Sequence, residues 1–227
     1  MFNHRMFQAH QDARYMDVAE RTLYNAVSAG VGLSGDRFFY VNPLESDGHW
    51  KFHKSGCVRF LWHGCPCCPV NVVRFIPTIP GMVYATSGDQ LYVNLFIAGT
   101  ANVNIEETSV KLRQQTHYPW DGKVKIAVDP EKPSTFTLKV RVPGWARNQP
   151  VPSDLYRYDD SRTPTVKLTV NGTPLAIELD KGYALVRRRW RKGDVVTLDM
   201  AHKVRFTFNI LFMRQLDSLS NPEFSKS

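Results

Sequence analysis

The sequence lacks the features that mark membrane, fibrous and disordered proteins. No uninterrupted apolar run approaches the roughly 18 residues that a membrane span needs, and residues 1–20 contain no apolar segment of the signal-peptide kind. Glycine and proline number 14 each among 227 residues, too few for a collagen-like or low-complexity chain. We therefore expect a soluble, cytoplasmic, globular protein without a membrane partner.

Acidic residues are scarcer than basic ones, 21 against 29, which gives a net charge of +8. The densest basic run is Arg-Arg-Arg-Trp-Arg-Lys at residues 187–192, and a basic stripe with an aromatic residue is one way to follow a nucleic-acid backbone. This run continues a strand-like stretch that starts at Tyr183, and alternate residues of a strand face opposite sides. The arginines are then divided between two faces, so we expect no nucleic-acid partner.

Cysteine is absent from all but one short segment of the chain. The four cysteines are Cys57, Cys65, Cys67 and Cys68. A secreted disulfide scaffold distributes its cysteines along the chain, and adjacent Cα atoms are only ~3.8 Å apart, closer than an unstrained disulfide allows. The segment favours thiolate chemistry, in which cysteines act as metal ligands, as a nucleophile or as both. The alternative is a group of reduced, buried cysteines that serve as small apolar side chains.

The chain changes character near residue 90. Before it, apolar residues recur at helical spacing over residues 15–27, which predicts an amphipathic helix that Asp12 caps and Gly30 ends. A short strand is predicted at residues 37–41, and a second helix at residues 70–76.

After residue 90 the apolar period becomes two, with turn residues between short segments. Strands are predicted at residues 91–97, 110–114, 124–128, 136–142, 166–170, 175–179, 183–190 and 195–200, and a long loop at residues 146–164. Regular short strands indicate an antiparallel β-sandwich. The expected fold is mixed α and β, with a helical domain at residues 1–88, a β-sandwich at 89–205 and a divergent tail at 206–227.

The most specific motif is Gly-x-x-Cys-Cys-Pro-x-Asn-x-x-Arg, which ends at Arg74. It resembles the cysteine motif of glycoside hydrolase family 127, the β-L-arabinofuranosidases. Further stretches resemble the same family in the same order, at residues 20–25, 36–43, 91–94, 118–122 and 143–145. The resemblance extends from about residue 3 to about residue 200.

The resemblance implies a C-terminal fragment of a catalytic (α/α)6 barrel followed by an antiparallel β-sandwich. Family members release terminal β-linked L-arabinofuranose with retention, so the implied partner is an arabinose-containing oligosaccharide or glycan. Cys67 matches the family's nucleophile, and Cys67 and Cys68 match two ligands of a Zn2+ cofactor. Glu20 matches a carboxylate near the sugar, and Tyr40 a sugar-facing tyrosine. The alternatives are a solvated carboxylate on a helix for Glu20 and a half-buried strand aromatic for Tyr40.

The sequence also departs from the family. Neither the Glu-x-Cys motif, which supplies two further zinc ligands, nor the acid/base Glu that precedes it occurs in this chain. We therefore expect a piece of a glycosidase that has low or no activity alone. One alternative is a carbohydrate-binding β-sandwich module with a vestigial zinc–cysteine loop. Another is a structural zinc protein with the ligands His63, Cys65, Cys67 and Cys68. Trp120 and Trp145 are expected to pack within the sandwich rather than stack on a sugar.

Overall fold

The computed structural model describes residues 1–41, 45, 47–51, 56–65, 67–160, 162, 164–200 and 207–209. The chain divides into two compact units. One, the sheet unit, combines Met1–Asp17 with the chain from Val83 onward, and the other, the cysteine unit, is Val18–Met82. Of the predicted tail at 206–227, only Thr207–Asn209 falls within the described residues. Among the described residues, no helix is long and apolar enough to cross a membrane.

The described residues of the sheet unit form three sheets. The first has five strands in the order β1 (Tyr84–Ser87), β2 (Gln90–Val93), β6 (Ser134–Arg141), β11 (Tyr183–Trp190) and β10 (Leu179–Asp180). The second has six in the order β3 (Gly99–Ile105), β4 (Thr108–Thr116), β5 (Lys123–Pro130), β12 (Asp194–Met200), β8 (Val166–Val170) and β9 (Thr173–Leu175). The third pairs β7 (Tyr156–Tyr158) with β13 (Thr207–Asn209), so the predicted loop at 146–164 contains a strand.

The alternation of apolar residues predicted most of these strands, but the expectation that all of them pair antiparallel is wrong. Strands β2 and β6 are parallel, with Leu91 opposite Leu138. A parallel pair requires a long connection rather than a hairpin. Here the chain passes through three strands of the other sheet, β3 to β5, before it returns as β6.

The five- and six-stranded sheets share one hydrophobic core. Its strand members are Leu91, Val93, Phe136, Leu138, Val140, Ala184, Val186 and Trp190 from the first sheet, and Ile105, Val110, Leu112, Val124, Ile126, Val128, Leu168, Val170, Val196, Leu198 and Met200 from the second. Trp190 stacks on Phe136 with ring centroids 5.5 Å apart, and its indole N–H donates to the Phe136 carbonyl oxygen at 3.0 Å. The largest core side chain thus buries its polar atom without leaving it unsatisfied.

The first helix, α1 (Phe2–His10), belongs to the sheet unit. Its one buried residue, Phe7, packs edge-on against Tyr92 at 5.6 Å and beside Tyr183 at 6.2 Å. Gln11, just after the helix, donates to the Ser87 hydroxyl and accepts from the Tyr92 hydroxyl. These contacts fix a segment at the start of the chain to strands that lie far along it.

The second helix, α2 (Ala13–Thr22), begins where the sequence predicts, because the Asp12 carboxylate accepts the Arg14 backbone N–H at 2.9 Å. Asp17 on this helix pairs with the fully buried Arg141 at 2.6 Å and with Arg147 at 3.1 Å. Arg141 also donates to the Asn94 carbonyl oxygen. A buried guanidinium is tolerable only with partners of this kind.

In the cysteine unit, α2 continues through a π-helical turn at Leu23–Val27 rather than as regular helix throughout, and the helical segment ends just before Gly30, as predicted. Helix α3 (Cys67–Phe75) begins three residues before the predicted start at Val70, and a 3-10 turn (Ile76–Thr78) and helix α4 (Pro80–Val83) follow it. The predicted strand at residues 37–41 is wrong. Phe38 makes only isolated bridges, to Val31 and Phe60.

Candidate active site

Three cysteines meet at the N-terminus of helix α3. Cys67 is the first residue of the helix, and its Sγ lies 3.8 Å from the Sγ of Cys68 and 3.9 Å from that of Cys65. Cys65 and Cys67 are exposed, and Cys68 is partly buried. Unpaired backbone N–H groups and the positive end of the helix dipole favour a thiolate at this position. We call these three residues the thiol cluster.

Two aromatic residues extend the thiol cluster. Side-chain hydrogen bonds connect Tyr40 with both Cys67 and Cys65. The Tyr40 ring lies 5.7 Å from the His63 ring, and His63 Nε2 is 3.1 Å from the Phe38 carbonyl oxygen. The side chains of Tyr40 and Cys65 therefore both lie beside Cys67, at the N-terminus of α3.

The environment makes the adjacent thiols unequal. Hydrogen bonds from the thiols of Cys68 and then Cys65, with a smaller one from Tyr40, hold the pKa of Cys67 below its ordinary value, although partial desolvation opposes them. Burial, followed by the hydrogen bond and negative charge at Cys67, raises the pKa of Cys68. The negative charges of Cys67 and Cys65 raise the pKa of Tyr40. Cys67 is thus the member of the vicinal pair that ionises first, and Tyr40 keeps its proton to donate.

The vicinal pair fits part of a zinc site. Two thiolates bound to one zinc at about 2.3 Å in tetrahedral geometry lie about 3.8 Å apart, and the Cys67–Cys68 sulfur separation is 3.8 Å. Within the part of the chain that the structure describes, no group of three or more His, Cys, Asp or Glu residues is arranged to hold a metal. The structure therefore gives no support to the hypothesis of a structural zinc protein with His63, Cys65, Cys67 and Cys68 as its ligands, which stays a prediction.

Glu20 lies in the part of helix α2 that belongs to the cysteine unit, and the residue is only 6% exposed. The alternative that it is a solvated carboxylate on a helix surface is therefore wrong. The groups that shift the pKa of Cys67 are the neighbouring cysteines and Tyr40, and Glu20 is not among them. Tyr40 is 41% exposed and lies outside any strand, so the alternative of a strand aromatic is wrong too.

From the sequence, Cys65 had a role only as one of four ligands in the structural-zinc hypothesis, yet its sulfur lies 3.9 Å from that of Cys67. The spacing Cys-x-Cys was the available signal. Asn71 is the asparagine of the cysteine motif, to which the sequence assigned no role. Its side-chain amide donates to the Cys67 carbonyl oxygen at 2.9 Å. Cys57 lies apart from the cluster, because its thiol donates to the carbonyl oxygens of Gly48 and Trp50 at 3.4 and 3.0 Å.

The two tryptophans of the sheet unit behave differently. Trp145 packs against the hydrophobic core, and its indole N–H donates to the Tyr118 hydroxyl at 3.1 Å, as the packing expectation requires. Trp120 is 87% exposed, in the connection between β4 and β5, so the same expectation is wrong for it. Its backbone N–H closes a turn onto the His117 carbonyl oxygen, which turns the residue away from the core.

Comparison with known proteins identifies the family of this chain. A family model described as "Beta-L-arabinofuranosidase, GH127 catalytic domain" matches residues 1–81, and one described as "Beta-L-arabinofuranosidase, GH127 middle domain" matches residues 90–202. The chain belongs to glycoside hydrolase family 127. It is thus a member of a glycosidase family, and the junction of the two matched regions coincides with the change from helices to sheets.

Individual relatives agree. The chain is 31% identical over 215 residues to the non-reducing end β-L-arabinofuranosidase of Bifidobacterium longum. The aligned region covers 91% of this chain and 30% of the relative. A solved GH127 β-arabinofuranosidase is 42% identical to this chain, with a TM-score of 0.85. The match covers 91% of this chain and 31% of the solved chain. A GH127 β-L-arabinofuranosidase from Geobacillus stearothermophilus T6 is 37% identical with a TM-score of 0.74, covering 89% and 30%. The chain therefore spans about a third of the length of these relatives.

Proposed function

We propose that this chain carries the nucleophile of a retaining β-L-arabinofuranosidase, and that Cys67 is that nucleophile. The observation that carries the proposal is the arrangement around its sulfur, which stands at the N-terminus of α3 among hydrogen-bond donors that favour the thiolate. A thiolate held in this way is an activated nucleophile of the kind used in covalent catalysis. The similarity to enzymes named as β-L-arabinofuranosidases supports the same assignment.

In the proposed reaction, Cys67 Sγ attacks the anomeric carbon of a terminal L-arabinofuranose. A carbon–sulfur bond forms as the glycosidic carbon–oxygen bond breaks, and the departing oxygen takes its proton from a general acid, which this chain does not contain. Water then displaces the sulfur and restores the thiolate. The buried Glu20 and the exposed Tyr40 are proposed to contact the sugar, with Tyr40 placed to touch both the sugar and the nucleophile. The expected partner is an arabinose-containing oligosaccharide or glycan.

Cys67 and Cys68 are proposed to hold Zn2+, since their sulfur separation fits two positions of a tetrahedral site. When bound, the metal would keep the Cys67 thiol deprotonated. The other ligands are expected from a Glu-x-Cys motif that this chain does not contain.

The architecture is part of the proposal. The helices within residues 1–88 would be a portion of an (α/α)6 barrel, and the strands within residues 89–205 would form a β-sandwich. A location in the cytoplasm stays a prediction.

The chain alone is expected to be a poor hydrolase of natural glycosides. Without a general acid, the departing oxygen must leave as an alkoxide, which forgoes roughly 10²–10⁴-fold in rate. An aryl leaving group with a low pKa needs no such proton. An aryl glycoside therefore tests the attack of Cys67 on the anomeric carbon without requiring protonation of the departing oxygen.

The test is incubation of the chain with a β-L-arabinofuranosyl nitrophenyl glycoside, followed by trypsin and mass spectrometry. Cleavage after Arg59 and Arg74 places Cys65, Cys67 and Cys68 in one peptide and Cys57 in another. We expect one pentosyl group on Cys67 and none in the Cys67→Ala variant, while Cys57→Ala labels like the unmodified chain. Labelling that persists in Cys67→Ala, or that falls on Cys65, contradicts the proposal.

A second candidate function is favoured by the exposure of Trp120. An indole that is 87% exposed on the sheet unit is available to stack on a sugar ring, as in a non-catalytic carbohydrate-binding module. Calorimetric titration with arabino-oligosaccharides separates the two candidates. Binding that is lost in Trp120→Ala but kept in Tyr40→Ala supports the module, and the reverse pattern supports the enzyme.

A further inference from the structure

One member of the thiol cluster is neither the proposed nucleophile nor a proposed zinc ligand. Cys65 is exposed, is not part of the vicinal pair, and has its sulfur 3.9 Å from that of Cys67. Both thiols are open to small molecules in solution, and one residue separates them in sequence.

Backbone spacing distinguishes Cys65 from Cys68 as a bonding partner of Cys67, although the two sulfur distances are nearly equal. An unstrained disulfide needs Cα atoms roughly 4.4–6.8 Å apart. Adjacent residues are fixed at ~3.8 Å, whereas residues two apart reach up to about 7 Å. A spacing of two residues, as between Cys65 and Cys67, can therefore meet this requirement, whereas the adjacent Cys67 and Cys68 fall short of it.

We propose that Cys65 and Cys67 form a reversible disulfide when the chain meets a disulfide oxidant such as oxidised glutathione. Cys67 sulfur attacks one sulfur of the oxidant, breaks its S–S bond and releases one glutathione thiolate. Cys65 sulfur then attacks Cys67 sulfur, forms the internal disulfide and releases the second glutathione. Two protein thiols lose two electrons, one oxidised glutathione gains them, and the two thiol protons end on the two glutathiones.

The consequence for catalysis rests on the proposed function. The disulfide consumes the nucleophile and one of the two proposed zinc ligands, so oxidation would silence the enzyme and exclude the metal until a thiol reductant restores it. The bond itself can be detected in a chain that has no activity at all.

The experiment treats the chelator-washed full chain with oxidised glutathione, blocks the remaining thiols with iodoacetamide and digests with trypsin. The peptide at residues 60–74 holds Cys65, Cys67 and Cys68, while Cys57 lies in the preceding peptide. We expect loss of alkylation at Cys65 and Cys67, one alkyl group on Cys68, and a peptide lighter by two hydrogens. Dithiothreitol before alkylation restores all three alkyl groups.

Two variants make the result specific. In Cys65→Ser the first attack proceeds but nothing resolves it, so a glutathione adduct persists on Cys67. In the matched control Cys57→Ser, the internal disulfide forms as in the unmodified chain. Full alkylation of Cys65 after oxidation, or a bond between Cys67 and Cys68, overturns the proposal. If the disulfide forms but no pentosyl group ever attaches to Cys67, the proposed function fails and the disulfide stands.

Discussion

The sheet unit and the cysteine unit bury their side chains to very different degrees. In the sheet unit, residues from two sheets form one continuous core. Among the described residues of the cysteine unit, only Glu20, Pro69 and Met82 are buried. Large apolar side chains there are exposed, including those of Trp50, Leu61 and Trp62.

This difference separates the source of stability from the source of chemistry. Apolar burial contributes roughly 25 cal/mol per Å² to folding, and nearly all of it lies in the sheet unit. The thiol cluster stands on a nine-residue helix whose only fully buried residue is Pro69. We expect the cysteine unit to open locally at far lower free energy than the sheets, as functional segments commonly do.

The largest effect should come from a matched pair of tryptophans. Trp190→Ala removes a fully buried indole from the sheet core and is expected to lower the free energy of unfolding by about 3–5 kcal/mol. Trp62→Ala, in the cysteine unit, removes an indole that is 63% exposed and should change it by less than about 0.5 kcal/mol. Urea unfolding followed by circular dichroism measures both. Equal losses of unfolding free energy in the two variants would contradict the conclusion that stability resides in the sheet unit.

A somewhat smaller loss is expected from the ion pair that joins α2 to the sheets. Asp17→Ala leaves the guanidinium of Arg141 buried without its carboxylate, which should cost about 3 kcal/mol in the free energy of unfolding. The double variant Asp17→Leu with Arg141→Met removes both charges. It should be more stable than Asp17→Ala in the same urea titration, and a double variant that is less stable would show that the charge left behind is not the cause.

Two aspartates with lowered pKa values sharpen the contrast further. At Asp194, hydrogen bonds from Asn171 and the Arg191 backbone lower the pKa against the opposing effect of burial. At the exposed Asp47, the backbone N–H groups of Trp50 and His49 lower it. We expect Asp194→Asn to cost about 1–2 kcal/mol in the free energy of unfolding at neutral pH, and Asp47→Asn to cost much less, because Asp47 is exposed.

The pH dependence of the Asp194 effect follows from the sign of its shift. Because the folded-state pKa lies below the unfolded value of about 3.9, the carboxylate stabilises the fold above that pH, and the contribution is lost as the pH falls through the folded-state pKa. The difference in unfolding free energy between the chain and Asp194→Asn should therefore shrink in acid. A difference that does not vary with pH would contradict the assignment.

The smallest effect concerns the thiol cluster alone. Tyr40→Phe removes one donor to Cys67, so the pKa of that thiol should rise and its alkylation by iodoacetamide should shift to higher pH. The unfolding free energy should change little, because the Tyr40 side chain is exposed. Peptide mass spectrometry across a pH series measures the shift. The same profile in Tyr40→Phe and in the control Tyr24→Phe would show that the Tyr40 hydroxyl does not act on Cys67.

The sequence predicted best where one local pattern determines structure. Alternation placed β6 and β11, because each has one face on the core and one away from it. Alternation says nothing of a neighbour's direction, so the parallel β2–β6 pair was missed. The apolar run at residues 37–41 has the composition of a strand, but the described residues around it give Phe38 only isolated bridges.

Cysteine spacing likewise located the candidate site, but not its geometry. Adjacent residues Cys67 and Cys68 had to be close. The contact of Tyr40 with Cys67 connects positions well apart in the chain, and no periodicity encodes it. The burial of Glu20 was also invisible, because a glutamate on a helix is normally solvated.

The packing of Phe7 on Tyr92 and Tyr183 means that the sheet unit is completed by a piece of chain distant from it in sequence. A protein that begins at Val83 would expose this aromatic patch and tend to self-associate. A synthetic peptide of residues 1–17 should then dock on it in trans and restore a monodisperse species. Such fragment complementation would allow the sheets to be studied without the cysteines.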